Sequence, residues 1–175
     1  MIGTVTIRRL RADHAQACVD GLADVLIDCV EGGASVSFML PIGREKAIAF
    51  WRAVADDVQQ AGRILLVAED NAGQIVGTVQ VITAQPENQP HRADIAKMLV
   101  HRRARRNGVA QRLMIAAEVA ARQEGKTVLV LDTVTGGPAE RLYQRAGWHR
   151  VGDVPNYALM PTGELCGTTF YCKQI

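Results

Sequence analysis

The sequence predicts a single α+β domain, with helices covering both faces of a mixed, mostly antiparallel sheet of about seven strands. Three observations lead there. Strand-like and helix-like segments follow one another in the order βαα, βββ, αβ, αβ, β. One strand-helix-strand crossover over residues 93–131, which makes its two strands parallel, lies between hairpin signals, which make theirs antiparallel. No repeat and no linker divides the 175 residues, so residues 1–175 read as one domain.

Each element has its own warrant. TVTIRRL at 4–10 alternates and reads as a first strand. Asp13 can cap a helix over 15–30, whose apolar residues Cys18, Leu22, Val25, Leu26 and Cys29 recur at helical spacing before Gly32-Gly33 stops it. The segment GGASVSFMLP that follows has no resolvable preference. A second helix over 44–61 carries the stripe Ala47, Ile48, Trp51, Val54, Ala55 and Val58. Residues 64–69 and 74–83 are β-rich and flank the turn Asp70-Asn71-Ala72-Gly73, which predicts a hairpin. Residues 85–90 form a polar, proline-containing loop, and 93–100 a further strand. A third helix covers 109–123, with Val109, Leu113, Ala116, Ala117 and Ala120 inward. The apolar run 127–131 suits a buried parallel strand. A fourth, short helix over 138–146 opens on a proline and closes at Gly147, and a terminal pair of strands ends at 168–173.

Composition limits the function. Hydrophobic residues make up 48% and charged residues 22%, which is ordinary for a globular domain, and no apolar run approaches the length of a membrane span. A soluble cytoplasmic protein without a membrane partner is expected, as a monomer or a homodimer. Cys18, Cys29, Cys166 and Cys172 lack CxxC spacing, and no His, Cys, Asp or Glu pattern indicates a metal. The net charge of +2 is too small to argue for nucleic acid. Its distribution is informative: Arg102, Arg103, Arg105, Arg106 and Arg112 fall within eleven residues that hold no acidic group, while the remainder carries 15 basic against 18 acidic residues. Focused positive charge predicts one anionic ligand held at one place.

That cluster lies where a strand runs through a turn with Gly108 straight into a helix. Unpaired N–H groups and the helix dipole make such a junction a phosphate site, and glycine allows close approach. No GxxxxGK[ST] and no dinucleotide glycine spacing is present. A nucleic-acid-binding module built on the arginines of 102–112 is the alternative of another class, although stacking aromatics are not interleaved among them.

Arg105-Arg106-Asn107-Gly108-Val109-Ala110 resembles the [Q/R]xxGx[G/A] pyrophosphate loop of the GCN5-related N-acetyltransferase (GNAT) superfamily. Ala139-Glu140-Arg141-Leu142-Tyr143 through Gly147-Trp148 is similar to its AxxLYxxxGF signature. Within the superfamily, 32–39, Lys97-Met98-Leu99-Val100, Leu131-Asp132-Thr133 and the tail from Tyr157 through Pro161, Gly163 and Phe170-Tyr171 resemble the tabtoxin-resistance acetyltransferases. The chain departs from the superfamily pattern at Arg106, where the loop usually has Gly, at Arg102 in place of a frequent Pro, and at Gly136 in place of a frequent Asn.

The resemblance implies a three-layer αβα fold with a splay between the two central parallel strands. It implies acetyl-CoA as cofactor and acetyl transfer to a primary amine of a small molecule by direct attack in a ternary complex. Detoxification of a toxin or antibiotic is the expected use, with aminoglycoside or peptide and protein acceptors as alternatives. It assigns the pyrophosphate to Arg105, Arg106, Asn107, Gly108, Val109 and Ala110. Carbonyl polarisation falls to main-chain N–H groups at Leu99 and Val100. Tyr143 is the general acid for the thiolate, beside the cofactor, and Asp94 the base for the amine. Simple alternation puts Asp94 on the same strand face as Val100, unless a bulge intervenes. Glu69 and Asp132, each near a strand end, are further acidic candidates for the acceptor, and Ser35, Phe38 and Tyr157 are candidate walls of its pocket.

Overall fold

β-Branched and aliphatic residues with period two form the centre of the sheet, and helices with period 3.6 are laid on each side of it. The computed structural model describes residues 4–175; the first three residues of the predicted domain lie outside that range. The seven described strands are β1 (Thr6–Leu10), β2 (Arg63–Glu69), β3 (Ile75–Ile82), β4 (Arg92–Val100), β5 (Val128–Val134), β6 (His149–Leu159) and β7 (Leu165–Gln174). They form one sheet in the order β1-β2-β3-β4-β5-β7-β6, antiparallel except for the β4/β5 pair. The predicted class holds, with helices on both faces.

The first predicted helix is divided. It consists of α1 (Ala12–Ala17) and α2 (Val19–Glu31), with Cys18 between them donating its N–H to both His14 and Ala15 carbonyls, a tight turn that ends one helix before the next begins. Asp13 lies inside the first turn of α1 and caps nothing; Arg11 holds the N-cap position. The other helices are α3 (Arg44–Gln59), α4 (Val109–Gln123) and α5 (Ala139–Arg145), close to their predicted bounds.

Two cores flank the sheet. On one side α1, α2 and α3 bury Leu22, Leu26 and Trp51 against Leu10, Leu65, Val67 and Leu99. On the other, α4 and α5 bury Leu113, Ala117 and Tyr143 against Val79, Val81, Ile95, Leu131 and Tyr171. Gly77 on β3 permits this second packing: a Cβ there would meet the Leu99 carbonyl oxygen at 3.0 Å and Val109 Cγ1 at 3.3 Å. The first turn of α4 therefore rests directly on the strand.

The parallel pair is brief. Its register runs Arg92↔Val128, Ala93↔Leu129 and Asp94↔Val130. Beyond these three pairs β4 continues beside β3 alone, and β5 beside β7 alone. Within β4 the register slips: Gln80 faces Ala96 and Thr78 faces Leu99, so Val79 alone is opposed by both Lys97 and Met98. Lys97 takes φ 50° at this bulge. The extra residue corrects the expectation from alternation: Leu99 packs with the α1–α3 core, and Val100 against the opposite one.

Candidate functional site

Where β4 and β5 part, a cavity of about 830 Å³ opens. Its walls are Ile95, Ala96, Lys97 and Met98 on β4, Asp132, Thr133 and Val134 on β5, residues 32–39, residues 157–159 at the end of β6 with Met160 after it, Thr168, and Tyr143 with the residues that open α5. Two hydrogen bonds hold the 32–39 segment and the residues after it across the opening: Ser35 Oγ donates to the Leu159 carbonyl at 2.8 Å, and the Leu40 N–H to the Pro161 carbonyl at 3.0 Å. Arg105 reaches the cavity from the basic loop, its Nε donating to the Val100 carbonyl at 3.1 Å.

That loop is a 3-10 turn, Arg102–Ala104, followed by 105–108 and the start of α4. Arg106 adopts φ 64° and Gly108 φ 72°. Asn107 Nδ2 donates back to the Ala104 and Arg105 carbonyls, so its side chain braces the loop. The backbone N–H groups of 107–111 donate to no carbonyl of the described chain, and a Cβ built at Gly108 would meet nothing within 4 Å. These unspent donors and the free space beside them fit a diphosphate. Two of the clustered arginines are already committed. Arg102 donates from its backbone N–H and Nε to Asp28 at 2.7 and 2.8 Å, and Arg103 pairs with Asp70 and Gln74.

Tyr143 is 5% exposed, its ring packed beside those of Trp148 and Tyr171, and its hydroxyl has no hydrogen-bond partner among the described residues. Burial, reinforced by the negative charge of Asp132, pushes its pKa up to about 12, so the phenol is protonated at neutral pH. Burial also raises the Asp132 carboxyl above the ordinary carboxylate value, with Asp94 adding to the shift and Lys97 opposing it. Lys97 is lowered by burial and by Arg63, with Asp132 opposing.

The predicted acceptor residues divide. Asp132, Ser35, Phe38 and Tyr157 meet on the cavity walls. Asp94 sits below them at the last β4/β5 pair, where its carboxylate accepts from Gln85 Nε2 at 2.9 Å and is ion-paired with Arg92. Glu69 is elsewhere: it pairs with Arg8 and lines a separate depression with Cys18, Asp24, Asp28 and Arg103. Its place at a strand end was a poor guide, because β2 ends on the far side of β3 and β4 from the splay. Sequence reasoning assigned no part to Lys97 or Gly77. Gly77 left a legible trace, a lone glycine within a strand; the bulge that turns Lys97 into the cavity left none.

The Acetyltransferase (GNAT) family profile matches residues 35–148 of the chain. An Azospirillum brasilense protein described as an N-acetyltransferase in the hisH-hisA intergenic region is 34% identical over 113 residues, 63% of this chain and 65% of the relative, so the match spans just under two thirds of that protein. An N-acetyltransferase structure from Staphylococcus aureus Mu50 superimposes with a TM-score of 0.80 at 18% identity, covering 98% of this chain and 99% of the other. The Salmonella typhimurium protein yncA, solved with its cofactor acetyl-CoA, gives a TM-score of 0.79 at 20% identity, covering 98% and 94%.

Proposed function

The chain belongs to the Acetyltransferase (GNAT) family, and from that premise we propose that it moves an acetyl group from acetyl-CoA to the primary amine of a small molecule by direct attack in a ternary complex. The observation that carries this reading is the parted β4/β5 pair, with unspent N–H donors at the start of α4 on one side of it and Tyr143 and Asp132 on its walls.

The N–H groups of 107–111 with the guanidinium groups of Arg105 and Arg106 would hold the cofactor's diphosphate, and main-chain N–H groups at Leu99 and Val100 would polarise the carbonyl. Acetyl-CoA, when bound, supplies a thioester whose acyl carbon takes the amine nitrogen as the carbon–sulfur bond breaks. Asp132 accepts the proton that the amine loses, directly or through water. Asp132 suits this better than Asp94, because its carboxylate opens onto the cavity with no ion pair among the described residues, whereas Arg92 and Gln85 already occupy Asp94. Asp94 is a positioning residue whose charge raises the basicity of Asp132. Tyr143 donates to the departing sulfur. A phenol near 12 is a weaker acid than a thiol near about 8.5, so its part is a hydrogen bond that strengthens as sulfur gains charge.

A volume of about 830 Å³ suits a small acceptor, for which pockets of roughly 300–1,000 Å³ are usual. Residues 32–39 and Tyr157, which resemble the tabtoxin-resistance acetyltransferases, wall this same cavity and support modification of a toxin or antibiotic amine. The test is a mass-shift screen with acetyl-CoA over toxin, aminoglycoside, polyamine and peptide amines, beside calorimetry with CoA. Saturable CoA binding and acetylation of a small amine are expected. Steeply salt-dependent binding of DNA or RNA with no CoA binding would overturn the reading in favour of a nucleic-acid module.

A further inference from the structure

Lys97 is a charged side chain in an unusual setting. Its backbone has φ 50°, a conformation uncommon for any residue with a Cβ, and it sits at the bulge that begins just past the last β4/β5 pair. Across the cavity Ser37 is also left-handed, with φ 76°, and the two side chains meet: Lys97 Nζ donates to Ser37 Oγ at 3.1 Å. Non-glycine residues are held in such conformations where the surroundings over-determine them, most often at ligand sites. The ammonium also lies 5.8 Å from the centre of the Phe50 ring.

An ammonium has three N–H donors. One of Lys97's is used by Ser37, and among the described residues no carboxylate oxygen comes within 4.0 Å of Nζ, Asp132 included. Burial already lowers its proton affinity, so the charge is partly desolvated without a countercharge in contact. Such a group is costly unless a partner arrives. Asp132, on the opposite wall, is likewise without an ion pair among the described residues. Apart from Arg105, which donates to the Val100 carbonyl and is assigned to the diphosphate, the acceptor cavity thus presents one cation, Lys97, and one anion, Asp132, held apart, each with unfilled valence for a charged ligand.

We propose that Lys97 determines acceptor specificity: its ammonium binds a carboxylate carried by the same molecule whose amine is presented to Asp132, so the acceptor is an amino-acid-type zwitterion. This rests on the acetyl-transfer reading of the cavity and narrows it. A polycationic acceptor such as a polyamine or an aminoglycoside would place positive charge against Lys97 and is disfavoured.

The experiment uses matched probes differing only in the carboxylate: lysine with cadaverine, ornithine with putrescine, and phenylalanine with phenethylamine. Binding is measured by calorimetry on the full chain without acetyl-CoA, and transfer separately by release of free CoA thiol. The carboxylated member of at least one pair is expected to bind about 10- to 100-fold more tightly, the range of a charge-assisted hydrogen bond. In Lys97→Met that ratio falls to near one, while Lys97→Arg, which keeps the charge, retains it; thermal melts of both variants establish that each is folded. The proposal is overturned if no carboxylated probe binds saturably, if matched partners bind alike, or if folded Lys97→Met keeps the preference. Thiol release with amines of both kinds and no carboxylate preference would leave acetyl transfer standing and remove this inference. Carboxylate binding that depends on Lys97, without thiol release from any pair, would support the anion site and remove the transfer reading.

Discussion

At the scale of single residues, the site sets stability against chemistry. Tyr143 buries its ring and leaves its hydroxyl unpartnered, so Tyr143→Phe deletes a group that the described fold does not use. Its melting temperature is expected to match that of the parent, with CoA affinity unchanged and turnover reduced by roughly 10- to 1000-fold when chemistry limits the rate. Near-normal turnover would remove the proposed hydrogen bond to the departing sulfur. Asp132 combines a cost to folding with the proton-accepting part proposed for it. Its folded-state pKa lies above the ordinary carboxylate value, so the stability linked to its proton is complete below that value and lost as pH rises through the folded one. Asp132→Asn is therefore expected to melt no lower than the parent near neutrality and to gain on it as pH rises across the carboxylate range. Turnover should fall about 100-fold. In the parent, the acid limb of kcat should lie above the ordinary carboxylate value, and a kcat profile in Asp132→Asn that keeps both its height and that limb would show that the proton goes elsewhere.

At the scale of elements, the junction into α4 was the most legible part of the sequence, because its ingredients are local: an arginine run, a glycine and a helix start. Its geometry required more. Arg106 takes the left-handed conformation that glycine adopts readily, so the loop keeps its path at a backbone cost of about 1–2 kcal/mol. Gly108 can be tested for the phosphate role with two replacements. Gly108→Ala adds a Cβ that meets no protein atom within 4 Å, so a loss of CoA affinity beyond the small loss of stability reports crowding of the ligand. Gly108→Val adds β-branched strain and should weaken CoA by more than 10-fold, on the order of one lost charge-assisted hydrogen bond. Unchanged affinity in the folded proteins would take this turn out of the site. Non-local features were illegible for a physical reason. The break at Cys18 interrupts a pattern whose apolar spacing runs through it, and the β4 bulge exists only because β3 and β4 must keep register on either side of it. Alternation consequently gave Asp94 the wrong relation to Val100, and the proposed mechanism gives the base role to Asp132, a candidate named from the sequence without a way to rank it.

At the scale of the whole molecule, the sheet is one continuous surface in strand order and nearly two in its bonding. The crossover helix α4 fixes β4 beside β5 for Arg92–Asp94 only, after which the strands diverge. Elsewhere the two parts share the α4–α5 core and are joined by a few further bonds: Lys173 Nζ donates to both Glu118 carboxylate oxygens at 2.8 Å, Ser35 Oγ donates to the Leu159 carbonyl, and the Leu40 main-chain N–H donates to the Pro161 carbonyl. Predicting a mixed sheet with one parallel pair was possible from element order; how short that pair would be was not, since nothing in either strand's sequence marks the residue at which the partners part. The short seam has a consequence for the dynamics of the backbone amides. With so few main-chain bonds crossing it, the β5–β7–β6 portion can open as a unit without unfolding β1–β4. In deuterated solvent its amides should exchange together and sooner than those of β2 and β3, and a ligand that spans the gap should slow them as a set, as though one stitch had been added to the whole row.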